Sequence, residues 1–294
     1  MNTVVSLLES AYDNNIYVDA SVYMFIVGSD DPLPDKTLKT FQWIKKYNYA
    51  HPNSKFKVIS CSFESTDNYA SVIYKLARKQ GCIIVAASGN YKSYYSHDPD
   101  AEEYGKEYVR NYPATYTEVF GAGGCYGMNV PQNYENYRMS AKYEDLGLDL
   151  GFGQYLYLGS DFYQDHGLSQ ATVDLVASAY KIATRADLSG GTAPESYEAT
   201  GTSMAAPQVA VAAFLAARLR YIETNGNNPL DMWSFHACVQ YSSENDPDAD
   251  DLLHWDAVEK PIENLGQKPI YYSYRVGYGS LDVHDMMEYL ISLS

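Results

Sequence analysis

The apolar positions of this 294-residue chain follow two different periods. Nearly continuous apolar runs of strand length occur at residues 21–28, 56–63, 82–87, 119–123 and 173–177. Helical spacing of apolar residues occurs at residues 1–11, 37–49 and 69–80. Apolar runs without alternation are typical of strands that are covered on both faces. The sequence therefore predicts an α/β fold with a mainly parallel sheet, helices on both of its faces and a functional site at the carboxyl ends of the strands.

A further helical pattern begins directly after Gly201-Thr202-Ser203 and continues through an alanine-rich segment to residue 224. Pro207 fits the first turn of such a helix, because the backbone N–H groups there have no carbonyl partner to lose. Ser203 would lie at the helix N-terminus, with an exposed hydroxyl and an unpaired N–H near the positive end of the helix dipole. An acyl-transfer nucleophile needs these properties, although serine is also a preferred N-cap residue without any catalytic role.

Composition narrows the range of partners. The 37 acidic and 21 basic residues give a formal charge of −16, which repels phosphate backbones and anionic membrane surfaces. We therefore expect neither nucleic acid nor a membrane as a partner, and no apolar run has the length of a membrane span. The first residues do not have the pattern of a signal peptide. The four cysteines lack metal-ligand spacing, so the sequence predicts no metal and no cofactor.

The string that starts at Gly201 resembles, residue for residue, the nucleophile signature of the subtilisin-like serine peptidases: Gly-Thr-Ser-Met-Ala, then Pro, then Val-Ala. This resemblance to the subtilases implies a three-layer subtilisin-like fold. It also implies a serine-type endopeptidase that hydrolyses peptide bonds through an acyl-enzyme on Ser203. The substrate class would be polypeptide, and the location would be extracellular or at the cell surface.

Two upstream strands resemble the subtilase strands that border the bound peptide. Residues 82–90 end on Gly89-Asn90, and the resemblance implies that Asn90 donates its side-chain amide to the oxyanion hole. Taken alone, Gly89-Asn90 is an ordinary turn dipeptide. The residues that the resemblance assigns to substrate binding are Ser62, Phe63, Glu64, Ala87, Ser88, Gly89 and Thr202. Glu64 stands where the family commonly has glycine, so its carboxylate either shapes the substrate pocket or points to solvent.

The resemblance extends over almost the whole chain. Residues 112–114, 174–178 and 277–283 resemble further subtilase segments, so residues 1–294 are predicted to form one peptidase domain. Insertions near residues 91–112 and 127–172 leave from strand ends that border the site, and both are rich in tyrosine. They are candidates for substrate-recognition loops or for plain surface decoration.

Two of the three catalytic motifs of the family are missing from this sequence. Subtilases use a triad in the order Asp, His, Ser, but the chain contains neither the Asp-Ser/Thr-Gly motif nor His-Gly-Thr. Residues 1–6 align with the histidine motif, with Met1 at or near the histidine position. We therefore expect an N-terminally incomplete domain that is inactive alone and needs the missing segment in cis or in trans. The alternative is a pseudo-peptidase that binds peptide or protein without cutting it.

Overall fold

The structure of the protein, a computed structural model, describes residues 20–25, 33–63, 71–89, 112–125, 174–179, 182–185, 196–199, 201–242, 278 and 281–293. The helices within these ranges are α1 (Leu33–Ala50), α2 (Ser71–Lys79), α3 (Thr202–Glu223), α4 (Met232–Ser242) and α5 (Val283–Ser292). The strands are β1 (Val58–Cys61), β2 (Ile83–Ala87), β3 (Phe120–Cys125), β4 (Leu175–Ser178), β5 (Ile182–Arg185) and β6 (Ser196–Ala199).

Strands β1 to β4 form a parallel sheet in which the spatial order equals the chain order. Because all four strands run in the same direction, their carboxyl ends meet at one edge of the sheet. Strands β5 and β6 form a separate antiparallel pair. The prediction of a mainly parallel α/β sheet is therefore confirmed.

The central strand β2 is buried on both sides and divides the core in two. Ile83, Val85 and Ala87 belong to a cluster that includes side chains of α3, α4 and α5. Cys82 and the alternate residues Ile84 and Ala86 belong to a second cluster, formed with side chains of α1 and α2. Successive side chains of a strand point to opposite faces, so these two clusters place helices on both faces of the sheet, as predicted.

Helix α3 is the central helix of the first cluster. Its alanines at positions 205, 206, 210, 212, 213 and 216 are buried, so the sheet and the helix approach each other closely. Contrary to the expectation that no apolar run has the length of a membrane span, α3 is long and apolar enough to cross one, but more than half of that stretch is buried inside the domain. Such burial is what the core helix of a globular domain shows.

Most of the predicted elements that fall on described residues are confirmed. The helices predicted at 37–49 and 69–80 correspond to α1 and α2, and the strands predicted at 56–63, 82–87, 119–123 and 173–177 correspond to β1 to β4. The hairpin β5–β6 and helices α4 and α5 were not predicted. The predicted helix 1–11, residues 26–28, residues 127–172 and all of 91–112 except Tyr112 lie outside the described residues.

The strand prediction for residues 21–28 is wrong over residues 21–25, which form no strand. Val22, Tyr23 and Met24 are exposed, and the Tyr23 ring lies edge-on to Phe56 with ring centroids 5.1 Å apart. An apolar run becomes a strand only where a neighbouring strand pairs with its backbone. Here the aromatic side chains pack against α1 and Phe56, without joining the sheet.

Candidate active site

The start of α3 is fixed by a glycine. Gly201 precedes the helix with φ 140° and ψ 164°, a conformation that residues with a side chain rarely adopt. Its N–H donates to the carbonyl of Ala179, just beyond β4, over 2.8 Å. The Met204 N–H donates back to the Gly201 carbonyl over 2.9 Å. These bonds place the first turn of α3, and Ser203 in it, at the carboxyl edge of the sheet.

Ser203 contacts the end of β1 through two serine–serine hydrogen bonds. The Ser62 hydroxyl donates to the Ser203 carbonyl over 3.0 Å, and the Ser203 hydroxyl donates to the Ser62 carbonyl over 3.5 Å. The Ser203 side chain is half-buried, so an extended chain that enters from solvent can reach its hydroxyl. Two segments that lie 141 residues apart in sequence therefore meet at this hydroxyl.

The end of β2 is attached to the same helix turn. The Gly89 N–H donates to the Thr202 hydroxyl oxygen over 3.1 Å, in a buried hydrogen bond. Gly89 has φ 108°, in the region that favours glycine. The preceding N–H, that of Ser88, donates to the Ala122 carbonyl of β3 over 3.0 Å. Thr202, the residue before Ser203, thus holds the turn after β2 beside the first turn of α3.

The family is decided by a match to a family model. Residues 18–227, which are more than half of the chain, match the model of the subtilase family of peptidases. The chain belongs to the subtilase family. No curated protein sequence matches it. The matched region contains the Ser203 helix and the ends of β1 and β2, so the site described above lies within the family domain. Subtilases are serine peptidases, and the resemblance expected from the motifs is confirmed.

Solved structures give weaker likenesses to this subtilase. The prenylagaramide maturation protease PagA is 19% identical with a TM-score of 0.47, over 90% of this chain and 71% of that chain. The PatG macrocyclase in complex with peptide is 16% identical with a TM-score of 0.47, over 86% of this chain and 56% of that chain. Sphericase is 20% identical with a TM-score of 0.46, over 71% of this chain and 55% of that chain. This chain thus spans little more than half the length of the last two.

The structure brings together part of the predicted site of this subtilase. Ser203, Thr202 and Ser62 are in contact with one another or with Gly89 at the carboxyl edge of the sheet, and Ala87 and Ser88 lead into that turn. Phe63 follows Ser62 and is half-buried against the core cluster of α1 and α2. Asn90 and Glu64 lie outside the described residues, so their oxyanion and pocket roles stay predictions.

One residue of the site was missed by sequence reasoning. The Gln208 side-chain nitrogen, one turn along α3, donates to the Met204 carbonyl over 2.8 Å and to the Ser178 carbonyl at the end of β4. The Gln208 side chain therefore links the first turn of α3 to the end of β4 by hydrogen bonds. The signal in the sequence was a single polar residue between the apolar residues of the signature, at helical spacing from Met204.

None of the histidines in the described ranges contacts Ser203. His51 lies against Tyr47, His236 pairs with Asp174, and His284 pairs with Asp285. Within the same ranges the Ser203 backbone N–H has no acceptor, as expected near a helix N-terminus. The site as described therefore supplies a hydroxyl, a free N–H and a helix dipole, and the hydroxyl donates to a carbonyl and not to a base.

A possible metal-binding group lies elsewhere in the described part of the chain. Ligand atoms of His284, Asp285 and Glu288 on α5 lie within 4.8 Å of one another, and all three side chains are exposed. The hydrogen bond to Asp285 and the charge of Glu288 raise the pKa of His284. When His284 is protonated, it forms ion pairs with Asp285 at 3.3 Å and with Glu288 at 3.7 Å on the surface of α5.

Proposed function

We propose that this subtilase chain is the nucleophile-bearing part of a serine endopeptidase. Ser203 attacks the carbonyl carbon of a peptide bond, the amine leaves with a proton, and water then hydrolyses the ester formed on Ser203. The observation that carries the proposal is the position of the Ser203 hydroxyl. It lies at the N-terminus of a buried helix, half-exposed, beside the carboxyl ends of two parallel strands.

The oxyanion hole is proposed to use the Ser203 backbone N–H and the side-chain amide of Asn90. Two preorganised donors stabilise the negative oxygen that develops during acyl transfer. Support comes from the Ser203 N–H, which has no acceptor among the described residues, and from the bond between Gly89 and Thr202, which fixes the residue before Asn90 relative to α3. Ser62 to Glu64 and Ala87 to Gly89 are proposed to form the two walls of the cleft for the peptide.

Acyl transfer also needs a general base for the Ser203 proton. The sequence holds neither the aspartate nor the histidine motif of the family. We propose that these two residues come from another segment, in cis or in trans, and that the chain alone is a poor catalyst. In subtilisin, loss of triad residues leaves a residual rate of only about 10³–10⁴ over that in water, which comes from the oxyanion hole and from substrate binding.

A second candidate function is a pseudo-peptidase that binds polypeptide without cutting it. One observation favours it. The Ser203 hydroxyl donates to the Ser62 carbonyl, which cannot take up its proton, and no histidine of the described ranges is near. The cleft walls would then hold an extended peptide while Ser203 stays protonated.

Exogenous imidazole separates the two candidates, because it can replace a missing histidine as the base. The chain is incubated with a fluorophosphonate probe with and without imidazole, and the modified residue is located by mass spectrometry. We expect imidazole to raise the rate of labelling at Ser203, with none in Ser203→Ala. The matched control is Ser62→Ala, which removes a neighbouring hydroxyl and leaves the Ser203 side chain in place.

The proposed nucleophile would be contradicted if the unchanged chain were labelled no faster than Ser203→Ala, with or without imidazole. If fluorescence anisotropy then still shows binding of an extended peptide, the pseudo-peptidase is the better account. Labelling of Ser62 in place of Ser203 would also contradict the proposal.

A further inference from the structure

The helical layer formed by α1 and α2 is basic, although the protein is acidic. Residues 33–63, which include all of α1, contain six lysines and one carboxylate, that of Asp35 in the first turn of α1. The other 15 basic and 36 acidic residues leave the rest of the chain with a formal charge of −21. The described part of the next segment, residues 71–89, adds Lys75, Arg78 and Lys79 and no carboxylate, and Arg78 pairs with Glu118 from outside that segment. Charge of one sign is therefore concentrated on one face of the domain.

The lysines of α1 are arranged around exposed aromatic rings. Lys36, Lys39, Trp43 and Lys46 follow the spacing i, i+3, i+7 and i+10, so they lie on one stripe of the helix. The three lysines are exposed, and Trp43 is 42% exposed. The opposite side of α1 is buried through Thr37, Phe41, Ile44 and Asn48. We call the stripe, with Tyr23, Tyr47 and Phe56, the basic aromatic face.

Ring contacts hold the aromatic part of this face in place. Trp43 stacks on Tyr47 with centroids 5.3 Å apart, and Phe56 lies edge-on to both rings at 5.8 and 5.0 Å. Tyr23, 47% exposed, lies 6.2 Å from Trp43. Lys55 and Lys57 flank Phe56 in the chain. Rigid exposed aromatic rings surrounded by charge are typical of the centre of a binding surface.

We propose that the basic aromatic face is a docking surface for an acidic polypeptide segment that also carries apolar side chains. Charge complementarity requires an anionic partner, and the exposed rings of Trp43 and Tyr23 offer apolar contact beside the lysines. Helix α1, with 18 residues, is about 27 Å long. A short segment fits this length. A long duplex or a membrane would extend beyond it and meet the strongly acidic remainder of the protein.

This surface is separate from the Ser203 site. Phe56 lies at the amino end of β1 and Ser62 at its carboxyl end, which puts about 20 Å between them in an extended chain. Docking at α1 leaves the cleft open, so one polypeptide could occupy both. The proposal does not depend on peptidase activity, since binding at α1 involves neither Ser203 nor a base.

The test uses the full chain and a fluorescein-labelled peptide of alternating glutamate and leucine, about eight residues long, which spans α1 in extended form. A second peptide replaces every glutamate by glutamine. By fluorescence anisotropy we expect the acidic peptide to bind, the neutral one to bind at least about tenfold more weakly, and the difference to shrink at about 0.5 M salt.

The variant Lys39→Gln/Lys46→Gln removes two charges from the face without disturbing buried groups. We expect it to weaken acidic-peptide binding about three- to tenfold. The matched control Lys75→Gln/Lys79→Gln removes two exposed charges from α2 in the same layer and should change binding less than about twofold. Circular dichroism of both variants checks that the helices are retained.

Four results would overturn the proposal. One is that the acidic peptide binds no more tightly than the neutral one. Another is that Lys39→Gln/Lys46→Gln and Lys75→Gln/Lys79→Gln weaken acidic-peptide binding equally. A third is tighter binding of oligothymidylate or of phosphatidylserine vesicles, which would make the partner a nucleic acid or a lipid surface. The fourth is salt-sensitive dimerisation in sedimentation that Lys39→Gln/Lys46→Gln abolishes, because the occupant would then be a second copy of this chain.

Discussion

Gly124 of β3 lies in close contact with Ala179, just after β4, and with Thr202 at the start of α3. A Cβ atom at this buried position of β3 would lie 2.5 Å from the Cβ of Ala179 and 3.5 Å from the Cγ2 of Thr202. Carbon atoms that are not bonded do not approach within 3.0 Å, so one of the two segments must move. The atom in the way is a methyl group fixed to the backbone, which cannot rotate aside.

We predict that Gly124→Ala lowers the free energy of unfolding by about 1–3 kcal/mol, the usual effect of an extra methyl group in a close-packed core. Urea unfolding followed by circular dichroism measures it. Because Ala179 accepts the N–H of Gly201 and Thr202 precedes Ser203, the displacement should also slow imidazole-assisted labelling of Ser203. Unchanged stability and unchanged labelling would refute the close approach.

The double variant Gly124→Ala/Ala179→Gly supplies the control, because it moves the methyl group from one segment to the other. Ala179→Gly alone should lower stability by about 1–2 kcal/mol, from one lost buried methyl and a more flexible backbone. If the clash is real, the double variant is more stable than the sum of the single effects by at least about 1 kcal/mol. Additivity within about 0.5 kcal/mol would refute the explanation.

Three further predictions concern groups around the site and the core. Thr202→Val leaves the buried Gly89 N–H without its acceptor and should lower stability by about 1–3 kcal/mol in urea unfolding, whereas Thr202→Ser should retain it. Asp174→Asn weakens the 2.6 Å bond from the Gly121 N–H, and we expect a loss of about 1.5–3 kcal/mol against a negligible change for the exposed Asp35→Asn. Burial raises the pKa of Cys61 to about 12, so this thiol should resist iodoacetamide at pH 8 until urea unfolds the chain. The free energy of unfolding should also fall as the pH rises from about 9, because the thiol ionises first in the unfolded chain.

The pattern of apolar residues was sufficient to predict the strands that are buried on both faces. Residues 83–87 are all buried, and their apolar run was recognised as a strand for that reason. Residues 21–25 have a similar run but form no strand, since Tyr23 and Phe25 pack against the rings of α1. Composition shows that a run is apolar, but strand formation depends on whether another backbone lies beside it.

The position of Ser203 could be predicted because it depends on local signals. A serine between small residues and a helical pattern that follows at once are both visible within ten residues of sequence. The structure adds that Gly201, before the helix, has a positive φ. Its contact with Ser62 could not be predicted from the residues alone, because it joins segments 141 residues apart and depends on the order of the strands in the sheet. Gln208 was missed for the same reason, as its partner Ser178 belongs to β4.

The Asp174–His236 pair shows why a carboxylate and an imidazole in contact do not suffice to identify a base. His236 Nε2 lies 3.2 Å from the Asp174 carboxylate, and Gln240 donates from its amide to His236 Nδ1 over 2.9 Å. Both ring nitrogens are therefore engaged, and burial and the Asp174 charge raise the pKa of Tyr278, which completes the group. Asp174 precedes β4, while Ser203 lies beyond its far end, a separation of at least about 13 Å along the strand. No proton can pass directly over that distance, so this pair cannot serve as the base in the reaction proposed for Ser203.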